Sequence, residues 1–286
     1  MSPQHVFSVD VEEYFQVNAF ESVVTREHWD ALPSRLGPSI DILLDVLAHH
    51  GATGTFFTLG WIAARYPRIV QRIAAAGHEI ASHGWWHRRV PELTAAQYRE
   101  EVRSSKDLLE QITGMPVSGY RAPSFSILPG YEWALDVLIE EGYRYDSSLF
   151  PIRRPGYGYP AAPRFAHVIE RPSGTLVELP PATGTMLGRR IPAAGGGYLR
   201  HFPLSVIQNA FRQHERAGQQ AMFYIHPWEV DPDQPRLPVS PVTRMRHYAG
   251  LSKTRSRIEE LLREFRFTAA RDHRLVQTNS SALALS

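Results

Sequence analysis

Two rhythms of apolar and polar positions run through this chain of 286 residues. Ile40, Leu43, Leu44 and Leu47 recur at helical spacing over residues 39–50 and stop at Gly51, which predicts a helix with a glycine at its C-terminal end. A strand-like run over 53–59 follows. Pro67 suits a first helical turn, Ile69, Val70 and Ile73 form one stripe, and Gly77 closes it before the apolar run 79–81. Thr94 and Gln97 have the spacing of a capping box for a helix with Tyr98, Val102, Leu109 and Ile112 inward, ended by Gly114 and Pro116. Helices over 129–141 and 204–217, closed by Gly142 and Gly218, each lead into a further strand, and a last helix spans about 253–265 before Phe267 and Thr268. Strand and helix alternate at least six times. That pattern predicts an α/β protein with a β/α barrel or barrel-like fold, because parallel strands need helical crossovers.

One domain over residues 1–276 accommodates these units, since no linker divides the chain into two cores. The stretch 151–202 is dense in Pro and Gly. Val168-Ile169-Glu170-Arg171 and Thr175-Leu176-Val177-Glu178 flank the turn Pro172-Ser173-Gly174 as a hairpin, and the whole stretch reads as an insertion over the barrel mouth. Gly195-Gly196-Gly197-Tyr198 lacks the Lys-Ser/Thr ending of a phosphate-binding loop. The small, polar tail 277–286 is expected to fray.

Chemistry-bearing residues stand where strands end. The run 6–9 leads into Asp10, Glu12 and Glu13; 79–81 into His83; 117–120 into Arg121; 143–145 into Asp146; and 221–225 into His226. Singly each is an ordinary turn, cap or surface residue. Together they fit the habit of parallel β/α folds of gathering function at the carboxyl ends of their strands. His83 and His87, four apart in Ser82-His83-Gly84-Trp85-Trp86-His87, can close on one metal ion, although with 13 histidines in the chain the spacing alone carries little weight.

Composition removes several function classes. A 43% hydrophobic content supports a sizeable core, and a net charge of +2 without a basic run argues against nucleic acid. No stretch approaches the ~20 apolar residues of a membrane span. The first strand begins within a few residues of Met1, so a cytoplasmic location without a signal peptide is the expectation. With no cysteine there is neither disulfide nor thiolate chemistry.

The ordered set Asp10, His83-x-x-x-His87, Arg121-Ala122-Pro123, Asp146 and His226 resembles the NodB-type polysaccharide deacetylases, carbohydrate esterase family 4, over residues 7–227. Within that family, the wording from Phe7 to Phe15 and Gly195-Gly196-Gly197-Tyr198 is similar to deacetylases of exopolysaccharide and exosortase (PEP-CTERM) loci. The resemblance implies a distorted (β/α) barrel and hydrolysis of N-acetyl groups on an amino-sugar polysaccharide. It implies a divalent metal, zinc above all, on His83, His87 and one carboxylate. Asp10 is then the base, His226 the acid, Arg121 the partner orienting Asp10, and Asp146 the partner fixing His226.

The family places two adjacent aspartates in its first motif, whereas Val11 follows Asp10 here. Glu12 is the expected ligand because positions 10 and 12 share a face if the strand continues, with Glu13 as the alternative. Phe125, Tyr198 and Trp228 offer flat faces for a sugar ring, as do Trp85 and Trp86 unless these two only pack.

Three other functions fit parts of the pattern. A facial-triad iron oxygenase needs two histidines and a carboxylate but not the later Arg, Asp and His. An amidohydrolase acting on a small amide could use the same site, and the long insertion favours a glycan over it. A noncatalytic glycan-binding relative would lose its base or acid, and Asp10 and His226 are both present.

Overall fold

The computed structural model describes residues 3–283. Strand β1 (His5–Val11) leads through helix α1 (Leu36–His49) to β2 (Thr55–Thr58), and helices α2 (Gly60–Arg65) and α3 (Pro67–Ala75) lead to β3 (Glu79–Ser82). Helix α4 (Ala95–Thr113) precedes β4 (Gly119–Tyr120), and α5 (Trp133–Glu140) precedes β5 (Tyr145–Asp146). Two hairpins follow, β6 (His167–Arg171) with β7 (Gly174–Glu178) and β8 (Thr183–Met186) with β9 (Arg189–Pro192). Helices α6 (Gly197–His201) and α7 (Leu204–Arg216) lead to β10 (Met222–Ile225), and α8 (Pro241–Tyr248), α9 (Thr254–Glu264), β11 (Phe267–Thr268) and α10 (Arg274–Leu283) complete the chain.

The main sheet runs in the order β10-β1-β2-β3-β4-β5-β7-β6, with β11 also on β1, and every pairing but β6 with β7 is parallel. All seven residues of β1 are buried, as expected of a parallel strand covered on both faces. The sheet curls toward a ring without being closed by a strand ladder. Between β7 and β10 the wall is spanned by single bridges, Pro181 to Met222 and Gly195 to Tyr224, with Ala182 N donating to Met222 O at 2.9 Å and Tyr224 N to Ala194 O at 2.7 Å. Pro180, Pro181 and Pro192 lack the N–H groups a ladder requires, so this wall is irregular and the barrel distorted.

The capping box at α4 is present as expected. Thr94 Oγ1 accepts from Gln97 N at 3.3 Å, Gln97 Oε1 accepts from Thr94 N at 2.9 Å, and Gly114 takes φ +67° at the far end. Helix α5 starts at Trp133, later than its sequence pattern implies, because Pro129-Gly130 forms a turn with Gly130 at φ +94°. Segment 151–202 is only in part a covering. Its first hairpin forms, with Ile169 opposite Leu176 and Gly174 paired with Arg171 in the ladder instead of in the turn, but β7 pairs in parallel with β5 and so belongs to the barrel wall. Helix α10 runs through most of the tail expected to fray, and residues 284–286 lie outside the described residues. Among the described residues no helix is long and apolar enough to cross a membrane.

Gly195 takes φ +127°, and a Cβ there would lie 1.9 Å from Tyr224 O. Gly195→Ala must therefore shift the bridge that completes the ring, and the expected loss is at least about 2 kcal/mol in denaturant unfolding at unchanged m-value. A loss below about 0.5 kcal/mol would show that the close approach does not exist in solution.

Candidate active site

Parallel alignment brings the carboxyl ends of β1, β3 and β10 to one rim, where a pocket of about 240 Å³ is lined by Asp10, Glu12, His83, His87 and His226 among others. Because β1 continues through Val11, Asp10 and Glu12 project to the same side while Val11 packs into the core. Glu13 turns away. Its carboxylate accepts from the Ser34 hydroxyl and, at 3.1 Å, from Arg35 N, so the alternative ligand does not reach the pocket.

His83 follows β3, and its Nδ1 lies 2.7 Å from Arg121 O. A carbonyl only accepts, so Nδ1 carries the proton and the Nε2 lone pair is left for a metal. Burial, then His87, pulls the His83 pKa down to about 3, which keeps the ring neutral as a ligand requires. The chain then turns sharply, with Gly84 at φ +75° and His87 at φ +53°, and Glu101 Oε2 from α4 accepts from Trp85 N at 3.3 Å and Trp86 N at 3.4 Å. This pinned turn, not a helical face, brings His87 back beside His83.

His87 Nε2 stands 2.9 Å from Glu12 Oε2, yet that buried oxygen has no aligned hydrogen-bond donor. Two atoms facing each other without a bond between them are what two ligands of one ion look like. Ligand atoms of Glu12, His83 and His87 all lie within 4.8 Å of one another, the sole such buried group among the described residues. Burial raises the Glu12 pKa, but His87 and His226 outweigh it and hold the carboxyl below its usual range. Two imidazoles and a carboxylate fit a divalent metal of the zinc type.

Arg121 is fully buried. Its Nη1 donates to Asp10 Oδ1 at 2.5 Å and to Ser8 Oγ at 2.9 Å, its Nη2 to Ser147 Oγ at 2.9 Å, and its guanidinium carbon sits 4.1 Å from the Phe57 ring centre. Asp10 Oδ2 remains toward the pocket, 3.9 Å from His226 Nε2.

The expected partner of His226 is corrected. Its Nδ1 pairs with Glu229 Oε1 at 2.7 Å, and Glu229 Oε2 accepts from Arg200 Nε at 2.7 Å. Asp146 instead accepts from Ser148 Oγ at 2.6 Å and Ser148 N at 3.2 Å, lies level with Glu178 across the β5–β7 pairing, and is pushed up to about 6 by burial. The local geometry is the reason: Asp146 is fully buried, folded onto Ser148 and opposite Glu178, while the capping box that follows β10 brings Glu229 to His226 Nδ1. Glu229 had a sequence signal that went unread, since His226-Pro227-Trp228-Glu229 has capping-box spacing with proline at the first helical position. Burial lowers the His226 pKa, but Glu12, Glu229 and Asp10 outweigh it and raise it to about 9.

Phe125 and Trp228 line the pocket, together with Asn18, Ser124 and Tyr157, which sequence reasoning missed. Ser124 and Phe125 sit at φ +54° and +51°, costly for side-chain-bearing residues and typical of functional rims. Tyr198 stands one step back, its hydroxyl 2.6 Å from that of Tyr157. Trp85 and Trp86 border a separate groove.

Residues 29–143 match the polysaccharide deacetylase family model, and residues 147–274 match a domain of unknown function (DUF3473). Over residues 29–143 the chain carries a polysaccharide deacetylase domain. It is 32% identical over 104 residues to a peptidoglycan-N-acetylglucosamine deacetylase of Bacillus cereus, covering 35% of this chain and 38% of that protein. It is 41% identical over 70 residues to a chitooligosaccharide deacetylase of Rhizobium leguminosarum bv. trifolii, covering 24% of this chain and 31% of that protein. The chain thus aligns with only about a third of the length of these curated relatives. A solved Mycobacterium smegmatis structure described as a polysaccharide deacetylase shares the fold, with TM-score 0.63 and 19% identity, covering 99% of this chain and 91% of that one. His83, His87 and Arg121 fall in the first matched stretch and His226 in the second, while Asp10 and Glu12 precede both.

Zinc titration of the metal-free protein separates the carboxylates. Glu12→Gln should weaken affinity at least about 100-fold, while Asp10→Asn and Glu13→Gln stay within about tenfold of the parent. Equal loss in Asp10→Asn would exchange the roles of ligand and base.

Proposed function

We propose that the chain is a metal-dependent deacetylase that hydrolyses N-acetyl groups on an amino-sugar polysaccharide. The observation that carries this reading is the pairing of a carboxylate and an imidazole, Asp10 and His226, at the mouth of the Glu12, His83, His87 cluster. An acetamide is inert at neutral pH, so its hydrolysis needs an activated water, a stabilised oxyanion and a proton for the departing amine. When bound, a divalent metal on this ligand set, zinc being the best match, supplies Lewis-acid polarisation of the carbonyl and acidifies a water. Asp10, oriented by Arg121, takes the proton of the attacking water through Oδ2. His226, with Nδ1 held by Glu229, turns Nε2 to the pocket and protonates the sugar nitrogen as the C–N bond breaks, leaving acetate and a free amine.

The aromatic rim of Phe125, Tyr157 and Trp228 supports a pyranose over a small linear amide, and the retained base and acid argue against a noncatalytic binder. The two curated relatives named above act, by their names, on peptidoglycan N-acetylglucosamine and on chitooligosaccharides, both N-acetylated glycans. The motif from Phe7 to Phe15 and the triple glycine before Tyr198 extend the proposal to an exopolysaccharide. A cytoplasmic site of action remains part of this reading.

Acetate release from N-acetylglucosamine oligomers with added zinc is the direct test, and a chelator should abolish it. His226→Ala should slow this reaction by about two to four orders of magnitude at unchanged metal content. An aryl acetate, whose phenolate departs without protonation, should be cleaved by the same variant at nearly the parent rate. Equal loss on amide and ester would move His226 from leaving-group protonation to oxyanion stabilisation, and zinc-loaded protein that releases no acetate from any amino-sugar oligomer would reject the function.

A further inference from the structure

The place of Gly195-Gly196-Gly197-Tyr198 in the fold, between β10 and α6, gives it a purpose. Gly196 N donates to Tyr224 O at 3.0 Å and Tyr224 N to Ala194 O at 2.7 Å, so the turn is fastened to β10 two residues before His226. The glycines are needed there, since a Cβ on Gly196 would lie 2.8 Å from the Tyr224 hydroxyl. Helix α6 starts at once and carries Arg200 inward until its side chain is only 2% exposed. Arg200 Nε donates to Glu229 Oε2 at 2.7 Å, and Nη1 to His247 O at 2.6 Å and Ala249 O at 2.9 Å. Glu229, with no exposure, accepts through Oε1 from both Nδ1 and the backbone N of His226, at 2.7 and 3.2 Å. Trp228 completes the support, its ring stacked on His226 at 5.0 Å and on His247 at 4.1 Å.

We propose that Arg200 and Glu229 are positioning residues for the general acid, with the triple-glycine turn serving to bring Arg200 to Glu229. Neither residue lines the pocket, so both act through His226. The inference rests on the reading of His226 as the proton donor. A buried ion pair is a poor source of net stability, because apolar residues of similar volume pack as well without the desolvation cost. What the pair supplies is direction. A carboxylate locked from behind by a guanidinium bonded to two backbone carbonyls leaves the imidazole one orientation, with the proton on Nδ1 and Nε2 toward the sugar nitrogen. Arg200 also removes the alternative in which a lone buried Glu229 becomes protonated and loses its hold on Nδ1–H.

The test is a double-mutant cycle on the zinc-loaded full chain. Arg200→Met with Glu229→Gln removes both charges together, which avoids an unpaired buried ion. This neutralised pair is placed in the parent and in His226→Ala. On N-acetylglucosamine oligomers the neutralised pair should lower kcat by about 10–100-fold with KM within about twofold. Zinc content and thermal midpoint should hold, and aryl acetate hydrolysis should change little. In His226→Ala the same change should cost less than about twofold, because residues acting through one group are not additive. A full additional loss in the His226→Ala background, loss of zinc, or equal slowing of amide and ester would overturn the assignment. If His226→Ala itself leaves the amide rate unchanged, the proton-donor reading fails and this inference with it. A slow His226→Ala with an additive cycle removes only the clamp.

Discussion

A guanidinium with no exposure to water sits inside this barrel, and its needs organise the rim above it. A buried cation is tolerable only when it is paired and its donors are met. Arg121 meets this with a carboxylate from β1, a serine hydroxyl from β1, the hydroxyl and carbonyl of Ser147 beyond β5, and the face of Phe57 from β2. Three strands are thereby fixed relative to one another. The same residue presents its carbonyl to His83 Nδ1, so the candidate base and one metal-ligand candidate take their positions from a single point of the chain.

On the other side of the pocket a second buried cation plays the matching part. Arg200 holds Glu229 as Arg121 holds Asp10, and Glu229 is kept ionised with its pKa lowered to about 2, Arg200 and His226 outweighing the upward push of burial. Glu12 lies between the two systems, its oxygens facing His87 on one side and His226 on the other. Opposite charges thus alternate across the rim, and each candidate catalytic side chain is held by a group that does not itself line the pocket.

The two family-model matches meet at residues 143 and 147, a boundary that falls at β5. The sheet ignores it. Strand β5 pairs with β4 before the boundary and β7 after it, and β10 from the second matched stretch pairs with β1. Metal-ligand candidates come from the first part of the chain and the candidate acid from the later part, so neither portion holds the whole constellation.

Local order was legible in the residues themselves. Helical stripes, the Thr94–Gln97 capping box and the strand ends at Asp10, His83, Arg121 and His226 follow from periods of 2 and 3.6, which depend on near neighbours alone, and the projection of Glu12, not Glu13, into the pocket beside Asp10 follows from the same alternation. What lay beyond the sequence was which strand ends face one another. Asp146 has the right residue type at the right kind of position, yet the β5–β7 pairing sets it beside Glu178 and its carboxylate meets Ser148, while His226 Nδ1 meets Glu229. Arg200 and Glu229 meet 29 residues apart because α6 is fastened to β10 by a backbone bridge that no side-chain pattern announces. Periodicity is a property of neighbours along the chain; partnership across a barrel is decided by register and strand order, which exist only once the sheet has formed.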